Sequence, residues 1–201
     1  MHYPGSPARP MTEQVDDMIA TRVRELRAAR GLTLEDLAEV SGVSRSMISL
    51  VERGRSSATA VVLEKLAAGL GVTLASLFDR PAAPADPVSR RRDQVEWRDP
   101  ASGYLRRNVS PPGVDTPIQI VEVSFPAGAT VAYESGARAG GVHQQVWVQQ
   151  GTIVVRVGDE AHELSAGDCL AMVLDRPVAF YNPTGKPARY AVILVARPGR
   201  K

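Results

Sequence analysis

The sequence predicts two domains, an all-helical N-terminal half and an all-β C-terminal half, and three observations carry that expectation. Apolar residues recur at helical spacing as far as Phe78. The composition then breaks at DRPAAPADPVSRRRD, a stretch rich in Pro, Ala and charge. Beyond it the period becomes alternating, in short runs such as IQIVEVSF, QQVWVQ, TIVVRVG, CLAMVL and ARYAVILVA separated by Gly, Pro and Asn. The expected division is a disordered arm over residues 1–13, a helical domain over 14–80, a linker over 81–94 and a β domain over 95–201.

In the helical half, Ile19, Val23 and Leu26 space out an opening helix that ends at Gly31. Leu63, Leu66, Ala67 and Leu70 space out another that ends at Gly71, and Thr73 to Phe78 suits a short closing helix. Between them lies the most informative segment, LTLEDLAEVSGVSRSMISLVERG. Thr33 is a good N-cap, and Asp36 stands three residues on, where an acid reaches back to a free backbone N–H. Leu34, Leu37 and Ala38 form a narrow apolar face, and Gly42 suits a left-handed turn. Ser44 caps a second helix that turns Ile48 and Val51 inward and leaves Arg45, Ser46, Ser49 and Leu50 facing away from the core.

With Ser44, Arg45 and Ser46 followed by Glu52-Arg53-Gly54, the span from about Met18 to Phe78 resembles the phage-repressor-like, or XRE, family of helix-turn-helix regulators. The resemblance implies a five-helix domain whose second motif helix lies in the major groove of double-stranded DNA. It makes Arg45, Ser46 and Leu50 base readers, with Arg45 suited to guanine O6 and N7 together. Thr33, Ser44 and Ser49 join the DNA-facing set as phosphate or cap residues, and Arg53 and Arg55 beyond the helix are phosphate candidates. Leu34 departs from the family, where a polar residue usually holds a phosphate. Glu52 reads as structural, pairing with Arg22 or Arg24.

Charge adds little: residues 1–80 hold ten Lys or Arg against ten Asp or Glu. DNA binding would then rest on local asymmetry, with Glu35, Asp36 and Glu39 kept off the face of Arg45, Arg53 and Arg55. Arg90, Arg91 and Arg92 read as a solvated linker. With 201 residues and 44% apolar content, the chain can hold two small domains and has no run long enough to span a membrane. The Pro-rich MHYPGSPARP segment is no signal peptide. A single cysteine, Cys169, excludes an internal disulfide, fits a cytoplasmic location and reads as a buried small hydrophobe.

In the β half, GTIVVRVGDEAHELSAGDCLAM gives a strand, a turn, a short strand and Ala166-Gly167-Asp168 before another strand. From about Trp97 to Val195 the sequence resembles the cupin family, a double-sheet jelly roll, of eight to ten strands. Enzymatic cupins hold a metal with histidines and a glutamate. Here those positions align with Ala137, Ala139, Gln144 and Val178, so no metal and no cofactor are expected. His143, next to the inward Gln144, should point to the opposite face.

A barrel able to enclose a small molecule remains, with Tyr133, Gln144, Val146, Val148, Met172, Val178 and Phe180 as candidates to line it. The alternative is that they simply fill the core. The two halves together predict a homodimeric, non-enzymatic transcriptional regulator that binds an operator and senses a small-molecule effector. Two other readings stay open, a metal-dependent cupin enzyme tethered to DNA and a β domain that serves only for dimerisation.

Overall fold

The two periodicities produce the two expected kinds of structure in a computed structural model that describes residues 11–79, 86–114, 116–134 and 142–196. The helical part contains α1 (Met11–Ala29), α2 (Leu34–Ser41), α3 (Arg45–Glu52) and α4 (Ala60–Gly69). The fifth helix expected over Thr73 to Phe78 is instead a 3-10 turn, Leu74–Phe78, too short for a regular α-helix and capped by the Thr73 hydroxyl. α1 starts at Met11, inside the expected arm; residues 1–10 of that arm lie outside the described residues.

The motif helices begin and end where their caps require. Thr33 Oγ1 accepts from the Asp36 N–H at 3.1 Å, while Asp36 Oδ2 accepts from the Thr33 N–H at 2.8 Å, a complete capping box. These bonds hold the Asp36 carboxyl below the usual carboxylate range, the backbone bond from Thr33 foremost. Gly42, at φ 66°, ends α2 in the left-handed region. The Ser44 hydroxyl accepts from the Met47 N–H to start α3.

The β part forms a ten-stranded double sheet. One sheet has six strands, ordered β1 (Glu96–Arg98), β2 (Leu105–Asn108), β3 (Ile118–Phe125), β10 (Ala188–Ala196), β5 (Val142–Gln150) and β8 (Cys169–Val173). The other has four, ordered β4 (Thr130–Tyr133), β9 (Val178–Tyr181), β6 (Thr152–Val157) and β7 (Glu160–Ser165). All pairings are antiparallel. Alternation sends Val121, Val123, Phe125, Val146, Val148 and Tyr190 inward to meet Val131, Ile153, Val155 and Phe180. Fully buried Asn182 ties the end of the roll together: its Nδ2 donates to the Phe125, Pro126 and Lys186 carbonyls, and its Oδ1 accepts from Thr184.

Cys169 departs from expectation. It is exposed, because β8 is an edge strand and Cys169 pairs with outward-facing Trp147.

The linker suggested separable domains, yet the two parts share one apolar core. Buried Asp99, after β1, accepts from the Ala60 N–H at the start of α4 at 2.9 Å and from the Ser102 N–H at 2.8 Å. A carboxylate from the β part thus sits at the positive end of a helix in the other part. Asn108 Nδ2 donates to the Ala75 carbonyl at 3.1 Å, and Gln119 bonds both Thr73 and Ser76. Phe78 packs on Trp97 with ring centroids 5.6 Å apart. Trp97, Tyr104, Phe125, Tyr190 and Phe180 continue an aromatic chain into the roll. Arg90, Arg91 and Arg92 remain exposed ahead of β1.

Asp99→Ala should lower stability by about 1–3 kcal/mol, since it strands a buried helix N–H, measured by urea unfolding followed separately in helical and β signals. The depressed Asp36 carboxyl stabilises the fold at pH values above its unfolded range. That contribution should fade as pH falls through the folded value, and a Thr33→Ala, Asp36→Ala double variant should lack this part of the acid profile.

Candidate functional site

α3 is fixed from behind by a buried ion pair. Arg27 on α1 reaches Glu52 with Nε at 2.6 Å from Oε1 and Nη2 at 2.9 Å from Oε2, and Arg27 Nη1 also donates to the Leu32 carbonyl. Arg24 donates to the Glu52 carbonyl. The structural role expected for Glu52 is therefore filled by Arg27, which is one helical turn beyond the expected partners and points at the C-terminal end of α3.

At the other end of α3 from Glu52, Arg45 and Ser46 are exposed, as are Arg53 and Arg55 just beyond the helix and Thr33 and Ser44 before the two motif helices, while Ser49 and Leu50 are half-buried. Ser44 is engaged as the cap and lies 3.2 Å from the Ser46 hydroxyl. Arg53 Nε donates to the Ser49 carbonyl, which holds its stem along the helix end. Leu34 is half-buried and packs on the core, so it offers no polar group to a phosphate.

The acids are not all kept off this face. Glu35 Oε1 lies 2.6 Å from Arg45 Nε, because the crossing of α2 and α3 brings their first turns side by side. Both partners are about two-thirds exposed, so the pair is weak and can open.

The second feature is a cavity of about 60 Å³ where the mouth of the β roll meets the helical domain. Of the seven expected lining residues, Tyr133, Gln144, Val178 and Phe180 are on its wall. Val146 and Val148 are instead fully buried in the core, and half-buried Met172 is off the wall. Gln144 is buried while His143 faces solvent, the alternation expected of β5.

The sequence reading missed the helical side of this cavity, Glu64, Thr73 and Leu74, and its polar centre, Tyr104 and Arg106. The run Leu105–Asn108 carries two adjacent arginines, and nothing in its pattern separates them. Arg107 is satisfied by Glu122, Glu96 and Gln94. Arg106, opposite inward-facing Val123, is buried without such partners.

The Tyr104 and Tyr133 hydroxyls are 3.1 Å apart. Burial first of all, and for Tyr133 also the neighbouring Tyr104, pushes both phenols above their ordinary range. They therefore act here as hydrogen-bond donors and acceptors rather than as bases.

A cupin metal does not fit this wall. Its polar groups are an amide, three phenols, a hydroxyl, one carboxylate and a guanidinium, and a buried positive charge opposes a divalent cation. Among the described residues no group of three or more His, Cys, Asp or Glu is placed to hold a metal. Ala137 and Ala139 lie outside the described residues.

The helix-turn-helix family model HTH_3 matches residues 23–77. The regulator SutR of Escherichia coli K12 is 34% identical over 83 residues, 41% of this chain, which spans about half of that relative, 47%. The regulator PuuR of the same organism is 26% identical over 164 residues, 80% of this chain and 85% of its own length. The crystal structure of an HTH_3 family transcriptional regulator from Vibrio cholerae superposes with a TM-score of 0.75 at 25% identity, covering 93% of this chain and 99% of that one. That likeness extends through both the helices and the double sheet. The chain is thus a helix-turn-helix protein of the XRE type with a cupin-like C-terminal domain.

Proposed function

We propose that the protein is a sequence-specific DNA-binding transcriptional regulator, without enzymatic activity, that senses a small molecule in its cupin-like domain. The observation that carries the DNA reading is the face of α3. Arg45 is exposed at its start while its last residue is held by the Arg27–Glu52 pair, so the anchored helix presents Arg45 and Ser46 to a groove, with Arg53 and Arg55 just beyond it for flanking phosphates. The sensing reading rests on the cavity at the seam between the domains, where an occupant would touch both. A cytoplasmic location follows from this role, and among the described residues no helix is long and apolar enough to cross a membrane.

The protein acts as a homodimer in this reading. The outer face of the six-stranded sheet exposes Ile118, Ile120 and Trp147 at 44%, 36% and 48%, with Val195 paired to Ile118 and Ile193 to Ile120 on the neighbouring strand. An apolar patch of this kind on an antiparallel sheet suits a second copy. Two copies would double a DNA face that is weak alone, because its domain is electrically balanced and Glu35 competes for Arg45.

Selection of bound sequences from random DNA should recover a two-fold or directly repeated site; recovery of no motif would defeat the reading. Arg45→Ala should weaken the selected site by about 1–3 kcal/mol and relax one base position, whereas Arg55→Ala should weaken all sequences alike and reduce the salt slope by about one. Glu35→Gln should tighten binding, because the acid that competes with DNA for Arg45 is gone, and a gel-shift titration reads all three. Trp147→Glu should shift the sedimentation profile from dimer to monomer, an outcome that an unchanged dimer would contradict.

A further inference from the structure

Arg106 is 7% exposed, lies on the wall of the seam cavity and, among the described residues, has no ion pair within 4 Å. The side chain bonds Tyr104, but its Nε and Nη2 are shut off from solvent and have no hydrogen-bond partner. These two nitrogens form one edge of the guanidinium, the edge that holds both oxygens of a carboxylate at once. A buried cation with that edge empty is costly unless something supplies the acceptors. The neighbouring Arg107, by contrast, is saturated by Glu122, Glu96 and Gln94. Asp79 feels the field of Arg106 without reaching it, and its carboxyl is raised chiefly by its own burial.

We infer that the cavity receives a small carboxylate, held by the empty edge of Arg106 with Gln144 and the Tyr133 hydroxyl as further hydrogen-bonding groups. This names the class of effector and rests on the sensing role proposed above. About 60 Å³ admits a ligand of a few heavy atoms. The carboxylate supplies the two acceptors that the guanidinium lacks, and a bidentate pair is strong when shielded from water.

The same residue links the cavity to the DNA-reading half. The guanidinium carbon lies 5.4 Å from the centre of the Phe78 ring, in the turn that closes the helical domain. The edge nitrogens are enclosed, so the side chain must turn to engage a carboxylate, and turning changes what Phe78 packs against. Ligand thereby favours one arrangement of the seam over another.

The test uses the full chain and an isosteric trio, propionate, propionamide and propylamine, at constant ionic strength. Calorimetry should detect propionate alone, with a rise in Tm, and fluorescence of Trp97, which packs on Phe78, should change in a Trp147→Phe background. Arg106→Met should abolish propionate binding by at least tenfold. If that variant does not fold, Tyr133→Phe, titrated below its own Tm, should weaken propionate severalfold. Equal binding of propionamide, retention of propionate by Arg106→Met, or no binding by any of the three would overturn the assignment. A gel shift separates the two readings. Propionate that binds through Arg106 without altering DNA affinity upholds the carboxylate site and defeats the regulatory link. A different solute that alters DNA affinity where propionate does not bind upholds sensing and defeats the carboxylate.

Discussion

Everything functional in this chain depends on the seam where the closing turn of the helical domain packs onto the first three strands of the β domain. A short helical bundle leaves its last turn, Leu74–Phe78, in need of cover, and Trp97, Tyr104 and the β2–β3 surface provide it. Asp99 locks the same seam by accepting from the first N–H of α4. Large aromatic surfaces and a buried charge-assisted hydrogen bond resist separation far more than a Pro-rich connection would. The two parts are therefore joined by a packed seam and not by the connection alone.

The packed seam makes the cavity informative. A pocket deep inside a jelly roll could be filled without consequence for the helices. This one is walled on one side by Thr73 and Leu74 of the helical domain and on the other by Tyr133, Gln144 and Phe180 of the roll. Any occupant is in contact with both parts, so a difference in affinity between two seam arrangements becomes a difference in how the DNA face is held. The filled core around Val146 and Val148 leaves the mouth as the place where polar groups converge.

The DNA face shows a similar economy of charge. Its domain has no excess of positive residues, so each arginine is assigned by geometry rather than by abundance. Arg27 faces inward to hold Glu52, Arg45 is shared with Glu35, and Arg53 lies along its own helix end. In the proposed homodimer two such faces would meet DNA at once, which is the role given there to the apolar outer face of the large sheet.

Local chemistry made much of this legible from the sequence alone. Thr33 with Asp36, Gly42 and Ser44 mark the motif helices through interactions that span at most four residues, and the long alternating runs mark β3, β5, β6, β8 and β10. The inward Gln144 and outward His143 follow from strand alternation. What the sequence could not decide was which distant groups meet. Whether Glu52 takes Arg27 or Arg24, whether Glu35 reaches Arg45, whether Cys169 lies on an edge, and which of two adjacent arginines has acids within reach are all set by the crossing of elements far apart in the chain. Arg106 is the clearest case: the sequence determined a cation in a short strand, and only the packing of β2 between Phe78 and Val123 left that cation buried with one edge unpaired. Burial and pairing are properties of neighbours in space, and neighbours in space are supplied by the tertiary fold.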